Sequence, residues 1–267
     1  MYQKIIRHTT KPNYSYIVLG YPYQPYNDCG LDAYYLATQD MYKACKKIQQ
    51  NLREKGVIAQ IVNNISLRDL SFKSGLTTIL GINQMAMRDD CGSYIVLAAI
   101  ETDDFDILAQ ATDRYVTSID KCVDCGKCVE VCPTKALGYN GEFYPKKCLR
   151  SYQCGDPMPL YIAELMGKKF LGCNICQEVC PHNINICKID APQLVQTALY
   201  NSIHTIKPFK ELIGANYART KYLKANSIVY SAHTGNLEAI PKLQQLTNDY
   251  MYGELARWAI KKLENII

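Results

Sequence analysis

The sequence predicts an α+β protein built in three parts, and three observations carry that prediction. Strand-like and helix-like signals alternate over residues 1–115, ten of the thirteen cysteines fall within 116–190, and residues 191–267 are helical in texture. A chain of 267 residues is long enough for two or three compact units, so such a division is affordable in buried surface.

In the first part, "YSYIVLGYPY" is apolar and rich in β-branched and aromatic residues, as a buried strand is. The stretch "DAYYLATQDMYKACKKIQQNLREKG" has helical spacing and stops at Gly56. Two further strands are read in "VIAQIV" and "GSYIVLAAIE", so residues 1–115 are expected to form an α/β domain. The second part, 116–190, is broken by turns such as "YNGEFYP" and "CGDPMP" and holds too little apolar sequence for a conventional core. Inorganic centres are expected to organise it. In the third part, "YLKANSIVYSAHTG", "NLEAIPKLQQLTND" and "YGELARWAIKKLENII" are three amphipathic stretches, read as HEAT-like paired helices or as a capping helical bundle.

Composition narrows the function. The N-terminus lacks a basic segment followed by an apolar core and a small-residue cleavage site. The longest apolar run, "YIVLAAI" at 94–100, is far short of the roughly 20 residues that span a bilayer. The expectation is a soluble cytoplasmic monomer with no membrane partner. In a reducing compartment thirteen cysteines point to metal binding or catalysis rather than disulfides, and the odd count agrees. The net charge of +5 is mild but uneven: from residue 201 onward nine lysines and arginines face five acidic residues. That excess is what a solvated face or a nucleic-acid footprint would show. No Rossmann glycine fingerprint or P-loop is present, which argues against bound NAD(P) or ATP.

The chemistry lies in "CVDCGKCVEVCP", residues 122–133, and "CNICQEVCP", residues 173–181. In C-x2-C-x2-C-x3-C-P one tight loop offers three thiolates to a cubane, and in two-cluster ferredoxins the fourth cysteine ligates the other cluster. Zinc sites more often use separated cysteine pairs. The crossed rule predicts one [4Fe-4S] cluster on Cys122, Cys125, Cys128 and Cys180. A second would use Cys132, Cys173, Cys176 and either Cys148 or Cys154. Two such clusters suit one-electron transfer. Cys29, Cys45, Cys91 and Cys187 are read as small hydrophobes without a role. Acidic neighbours disfavour a thiolate at Cys29 and Cys91.

These motifs, together with "KKCLRSY", "FLGCNICQEVCPHN" and "GLTTILGINQMAMRDDCGSYIVLAAI", resemble the epoxyqueuosine reductases, which share their core with reductive dehalogenases. The resemblance implies an N-terminal corrinoid-type domain, a ferredoxin-like two-cluster domain and HEAT-like helices. It favours Cys148 over Cys154 as the remaining ligand. It also implies cobalamin, fed with electrons by the clusters, and reduction of the epoxide of epoxyqueuosine in tRNA to an alkene. Reduced ferredoxin or flavodoxin would be the electron donor. Asn83, Gly92, Ser93 and Ser151 match positions near the corrinoid pocket, and the basic tail would hold tRNA phosphates.

The sequence departs from the family in two places. Where the family carries its acidic proton donor, after "VIAQIV", this chain has Asn63 and Asn64, with no carboxylate until Asp69. An amide is not a general acid. A tyrosine could replace it, and Tyr21, Tyr23, Tyr26, Tyr34 and Tyr35 crowd this domain, although such a stripe also serves packing. The chain is also shorter at its N-terminus, and the family's "GKN" reads "GIN" at 81–83. The leading expectation is therefore a cobalamin-dependent iron–sulfur reductase of this type, acting on epoxyqueuosine or on a different substrate. The alternative is a di-cluster electron-transfer protein without its own catalytic centre. A structural two-cluster module on a nucleic-acid-binding scaffold is the third.

Overall fold

The computed structural model describes residues 1–112, 122, 125–155 and 158–266; the expected boundary between residues 115 and 116 lies outside them. A four-stranded sheet organises the N-terminal part: β1 (Tyr2–Arg7), β2 (Ser15–Pro22), β3 (Ala59–Val62) and β6 (Ile95–Thr102). Its order is β1-β2-β6-β3, and every pairing is antiparallel. Because β2 and β3 both run opposite to β6, they are parallel to each other with β6 inserted between them. Helix α1 (Tyr34–Glu54) makes the crossover. The alternation of strand and helix is thus a split βαβ unit, which is why a sequence with α/β texture yields an antiparallel sheet.

The apolar runs of β2 and β6 follow from burial on both faces. Ile17, Leu19, Val96, Ala98 and Ile100 face α1, packing with Ala37, Met41, Cys45 and Leu52. The alternate residues Tyr16, Val18 and Ile95 join Ile6, Leu76 and Cys91 on the opposite face, with Leu70 of α2 (Leu67–Lys73) against them. Strand β1 exposes Gln3 and Lys4 and buries Ile6. Its hairpin with β2 is closed by His8, whose Nδ1 accepts from the backbone N–H of Thr10 and Lys11 at 3.1 Å each, and whose Nε2 lies 3.1 Å from Glu101. A short hairpin, β4 (Ile79–Leu80) with β5 (Ala86–Met87), projects residues 81–85 toward the cysteine-rich part. Helix α3 (Phe105–Ala109) follows β6, with its N–H at Ile107 capped by Asp104 at 3.0 Å.

Helices in the cysteine-rich part are short: α4 (Lys127–Val131), α5 (Leu149–Tyr152), α6 (Leu160–Met166) and α7 (Ile175–Glu178). The tail comprises α8 (Gln193–Tyr200), α9 (Lys207–Ile213), α10 (Thr220–Thr234), α11 (Ile240–Gln244) and α12 (Gly253–Glu264). Their cores run across the sequence segments. Leu149, Ile162, Ala163 and Met166 pack with Ile228, Val229, Leu243 and Leu255. Leu31 and Tyr35 join Phe170, Leu171, Phe209 and Leu223 in a second core. The cysteine-rich part is therefore held by apolar cores it shares with its neighbours, which its own composition does not reveal. Among the described residues no helix is long and apolar enough to cross a membrane.

Candidate iron–sulfur centres

Gly126, at φ +60°, turns the first motif into α4, and a Cβ there would stand 2.5 Å from the ring of Tyr139. Only glycine fits both demands. The turn leaves Cys122, Cys125 and Cys128 around one cavity of about 90 Å3, joined there by Cys180 of the second motif. Helix α7 lies beside α4. A second cavity, of about 370 Å3, is lined by Cys132, Cys148, Cys173 and Cys176. Cys154 lines neither of the two; it packs near Tyr35 and Tyr217 in the core shared with the tail. Cys45 and Cys91 are buried on opposite faces of the sheet, Cys29 is half-buried and Cys187 is exposed.

Among the described residues no three His, Cys, Asp or Glu side chains stand close enough to share one metal ion. The eight cysteines ring two spaces instead of converging on a point, an arrangement that suits a cluster with iron at its corners. Burial pushes the thiol of Cys128 up to about 11 and that of Cys176 up to about 12, with neighbouring thiols adding to the effect. Bound iron inverts this logic, because its charge stabilises thiolates. Cys132 Sγ already accepts from the N–H of Ala136 at 3.2 Å, the kind of contact that tunes a cluster.

The β4–β5 hairpin reaches between the cavities. Asn83 lines both, while Ile82 lines the smaller one. Asn83 accepts from Met85 N–H at 3.2 Å and donates to Cys176 O at 3.5 Å. Ser151 also lines the larger cavity, with its hydroxyl donating to Pro145 O at 2.6 Å. Gly92 and Ser93 are committed elsewhere. The N–H of Ser93 donates to Asn183 Oδ1 at 2.8 Å, and its Oγ accepts from Asn183 Nδ2 at 2.8 Å and Gln177 Nε2 at 3.0 Å. Gly92, at φ +54°, is packed so closely that a Cβ would lie 1.9 Å from Asn183 Oδ1. Asn183 and Gln177 thus lock the sheet to the second motif, a role their positions beside the cysteines did not disclose.

Asn63 and Asn64 are exposed in the loop after β3. Asp69 lies on α2, 3.3 Å from Arg68 Nε, with its own N–H capped by Ser66. The tyrosines form a row: Tyr94 to Tyr23 at 5.7 Å, Tyr23 to Tyr34 at 6.2 Å, Tyr34 to Tyr35 at 5.5 Å and Tyr35 to Tyr217 at 4.9 Å, all edge to face. Burial raises the phenols of Tyr23, Tyr35 and Tyr94 well above the ordinary tyrosine range, which weakens them as acids. Tyr21 and Tyr26 lie outside this row and are half-buried. A larger cavity of about 830 Å3 lies away from both motifs, lined by residues 27–29, α8 and α10. Two pairs of its polar side chains bond to each other, Tyr200 to Glu238 at 2.6 Å and Asn27 to Asp190 at 2.9 Å.

Fold and site together define a two-cluster iron–sulfur module set between an antiparallel sheet and a helical tail. Residues 121–183 match the 4Fe-4S double cluster binding domain family. The chain resembles epoxyqueuosine reductases. That of Lactococcus garvieae is 30% identical over 203 residues, which cover 70% of this chain and 55% of the relative. The structure of the Bacillus subtilis enzyme, solved with its catalytic loop swung out of the active site, matches with a TM-score of 0.71 at 23% identity over 94% of this chain and 73% of that one. A crystal structure of an epoxyqueuosine reductase with an epoxyqueuosine-modified tRNA-Tyr stem loop matches equally, with the same TM-score, identity and coverage. These likenesses fix the fold. The chain spans about half the length of the curated relatives it matches.

Proposed function

We propose that this chain is an iron–sulfur oxidoreductase of the epoxyqueuosine reductase type, with epoxyqueuosine in tRNA as its substrate. The observation that carries this reading is the sorting of eight cysteines into two sets of four, on a fold shared with those enzymes. One cluster would sit on Cys122, Cys125, Cys128 and Cys180, the other on Cys132, Cys148, Cys173 and Cys176. Converting an epoxide to an alkene takes two electrons and two protons and releases water. Two one-electron centres hold that pair of electrons, supplied one at a time by reduced ferredoxin or flavodoxin. The tRNA-bound neighbour supports tRNA as the partner, and the basic tail, in HEAT-like pairs, would meet its phosphates. The protein would act as a cytoplasmic monomer.

Cobalamin fits the expected residues only in part. Asn83 and Ser151 stand on the wall of the larger cavity, whereas Gly92 and Ser93 are spent on contacts with Asn183 and Gln177. Asn83 and Ser151 would then be the residues left to hold it, and bound there it would take the clusters' electrons. The exposed Asn63 and Asn64 favour a second reading, a di-cluster electron carrier without its own catalytic centre.

Anaerobic purification with cobalamin supplied, followed by iron, sulfide and cobalt quantification and incubation with epoxyqueuosine-modified tRNA and reduced flavodoxin, separates the two. About eight irons with formation of queuosine supports the reductase. The same iron with no cobalt and no conversion supports the carrier.

A further inference from the structure

Arg150 is a cationic residue of the larger cavity's lining. It follows Cys148 by two residues on α5 and lines the space that Cys132, Cys148, Cys173 and Cys176 surround. Its guanidinium is held by aromatic rings, 4.7 Å over Tyr34 and 5.3 Å over Tyr35, and Nη2 donates to Tyr35 Oη at 3.4 Å. Stacking of this kind fixes a planar cation where an extended lysine would wander. The buried carboxylate of Asp32 lies beyond ion-pair distance of it, although the two charges act on each other. One Asp32 oxygen accepts from Tyr34 N–H at 3.0 Å, and the other has no hydrogen-bond partner. The smaller cavity differs: among the described residues its lining includes Lys127, which is exposed to water, and His182.

A [4Fe-4S] cluster on four thiolates is a dianion when oxidised and gains a further negative charge on reduction. A fixed cation in a poorly solvated wall stabilises the added electron; a solvated one is screened. We propose that Arg150 raises the reduction potential of the cluster on Cys132, Cys148, Cys173 and Cys176 above that of the cluster on Cys122, Cys125, Cys128 and Cys180. An electron from the donor then comes to rest at the second site, beside the larger cavity, and the first site is the entry. This inference rests on the two-cluster reading above.

The test is a mediated redox titration of the anaerobic holoprotein followed by electron paramagnetic resonance, at about pH 8 so that histidines are neutral. In the wild type the higher midpoint belongs to the signal that survives Cys125→Ala. Arg150→Gln lowers that midpoint and leaves the other in place, and Arg150→Lys, whose ammonium the rings do not fix, restores only part of the shift. Full iron in Arg150→Gln with both midpoints unmoved overturns the role of Arg150 alone. So does a wild type in which the higher midpoint belongs to the first cluster, a measurement that stands even where Arg150→Gln loses iron. A wild type that binds no iron would sink the cluster reading, and this inference with it.

Discussion

The two cysteine-ringed cavities are built from one kind of motif, yet they differ in how far the chain travels to complete them. The smaller takes three of its four cysteines from residues 122–128 and only Cys180 from elsewhere. The larger collects Cys132 from the first motif, Cys148 from the turn before α5, and Cys173 and Cys176 from the second motif. Chain connectivity alone keeps most of the first set together. Packing must hold the second, through the cores in which Leu149, Phe170 and Leu171 are buried on either side of its cysteines. The difference teaches that a local motif specifies the chemistry, while tertiary structure specifies one of its two sites.

The largest expected effect tests the membership of the second set. Cys148→Ala and Cys176→Ala should each cost roughly half of the bound iron, whereas Cys154→Ala should cost none. Iron and sulfide counts on anaerobically purified variants decide it. Loss of iron in Cys154→Ala with retention in Cys148→Ala would move the ligand six residues along the chain and dissolve the match between cavity and cluster.

The next effect tests whether packing holds the second site. Phe170 is fully buried and stacks on Phe209 at 4.7 Å, three residues before Cys173. Phe170→Ala should destabilise the protein by about 3–5 kcal/mol. In a denaturant titration it should release the second cluster before the first, whereas the wild type should lose them closer together. Simultaneous release in both proteins would erase the distinction between the sites.

A smaller effect belongs to the first site. Gly92→Ala forces a side chain onto Asn183 Oδ1 and His182 O, just after Cys180. A strained left-handed position with a clash should cost about 1–3 kcal/mol, read as a lower unfolding midpoint. Here the first cluster, not the second, should become the more labile.

How much of this was legible in the sequence follows the same division. Strands β2 and β6 and helix α1 were readable because burial on both sheet faces, or on one helix face, imposes a strong pattern on consecutive residues. The insertion of β6 between β2 and β3 was not, since pairing partners leave no trace in local periodicity. β1 was missed because it lies at the sheet edge with Gln3 and Lys4 exposed, and β4 and β5 because two residues carry no period. Cysteine spacing pointed to iron–sulfur chemistry and singled out seven of the eight cysteines that line the two cavities. Spacing could not separate Cys148 from Cys154, both lone cysteines flanking α5; resemblance preferred Cys148, and the structure places it at the cavity. The Gln177–Ser93–Asn183 lock and the Arg150 cation depend on contacts across more than eighty residues of sequence, which no motif encodes.

The smallest effect concerns the clamp that sets up Gly92. Asp90 accepts from Arg88 Nε at 3.0 Å and Nη2 at 3.3 Å and from Tyr2 Oη at 2.7 Å, while Arg88 lies 4.0 Å over the Tyr2 ring and donates to Leu76 O at 2.6 Å. The Arg88 hydrogen bond first, and the Tyr2 hydroxyl second, hold the Asp90 carboxyl down to about 2. A depressed folded-state value means that the clamp contributes fully above the unfolded carboxyl's pKa of about 4 and loses its contribution as the pH falls toward 2. The Asp90 side chain is 47% exposed, so solvent screening limits the contribution to under about 1 kcal/mol. Asp90→Asn should therefore lower the urea midpoint slightly at pH 7 and by less near pH 2, because the wild-type group is by then protonating too. A gap between the two proteins that stays constant across that range would show that the clamp acts through shape alone. The backing of the first site would then owe nothing to charge, as packing already implies for the second.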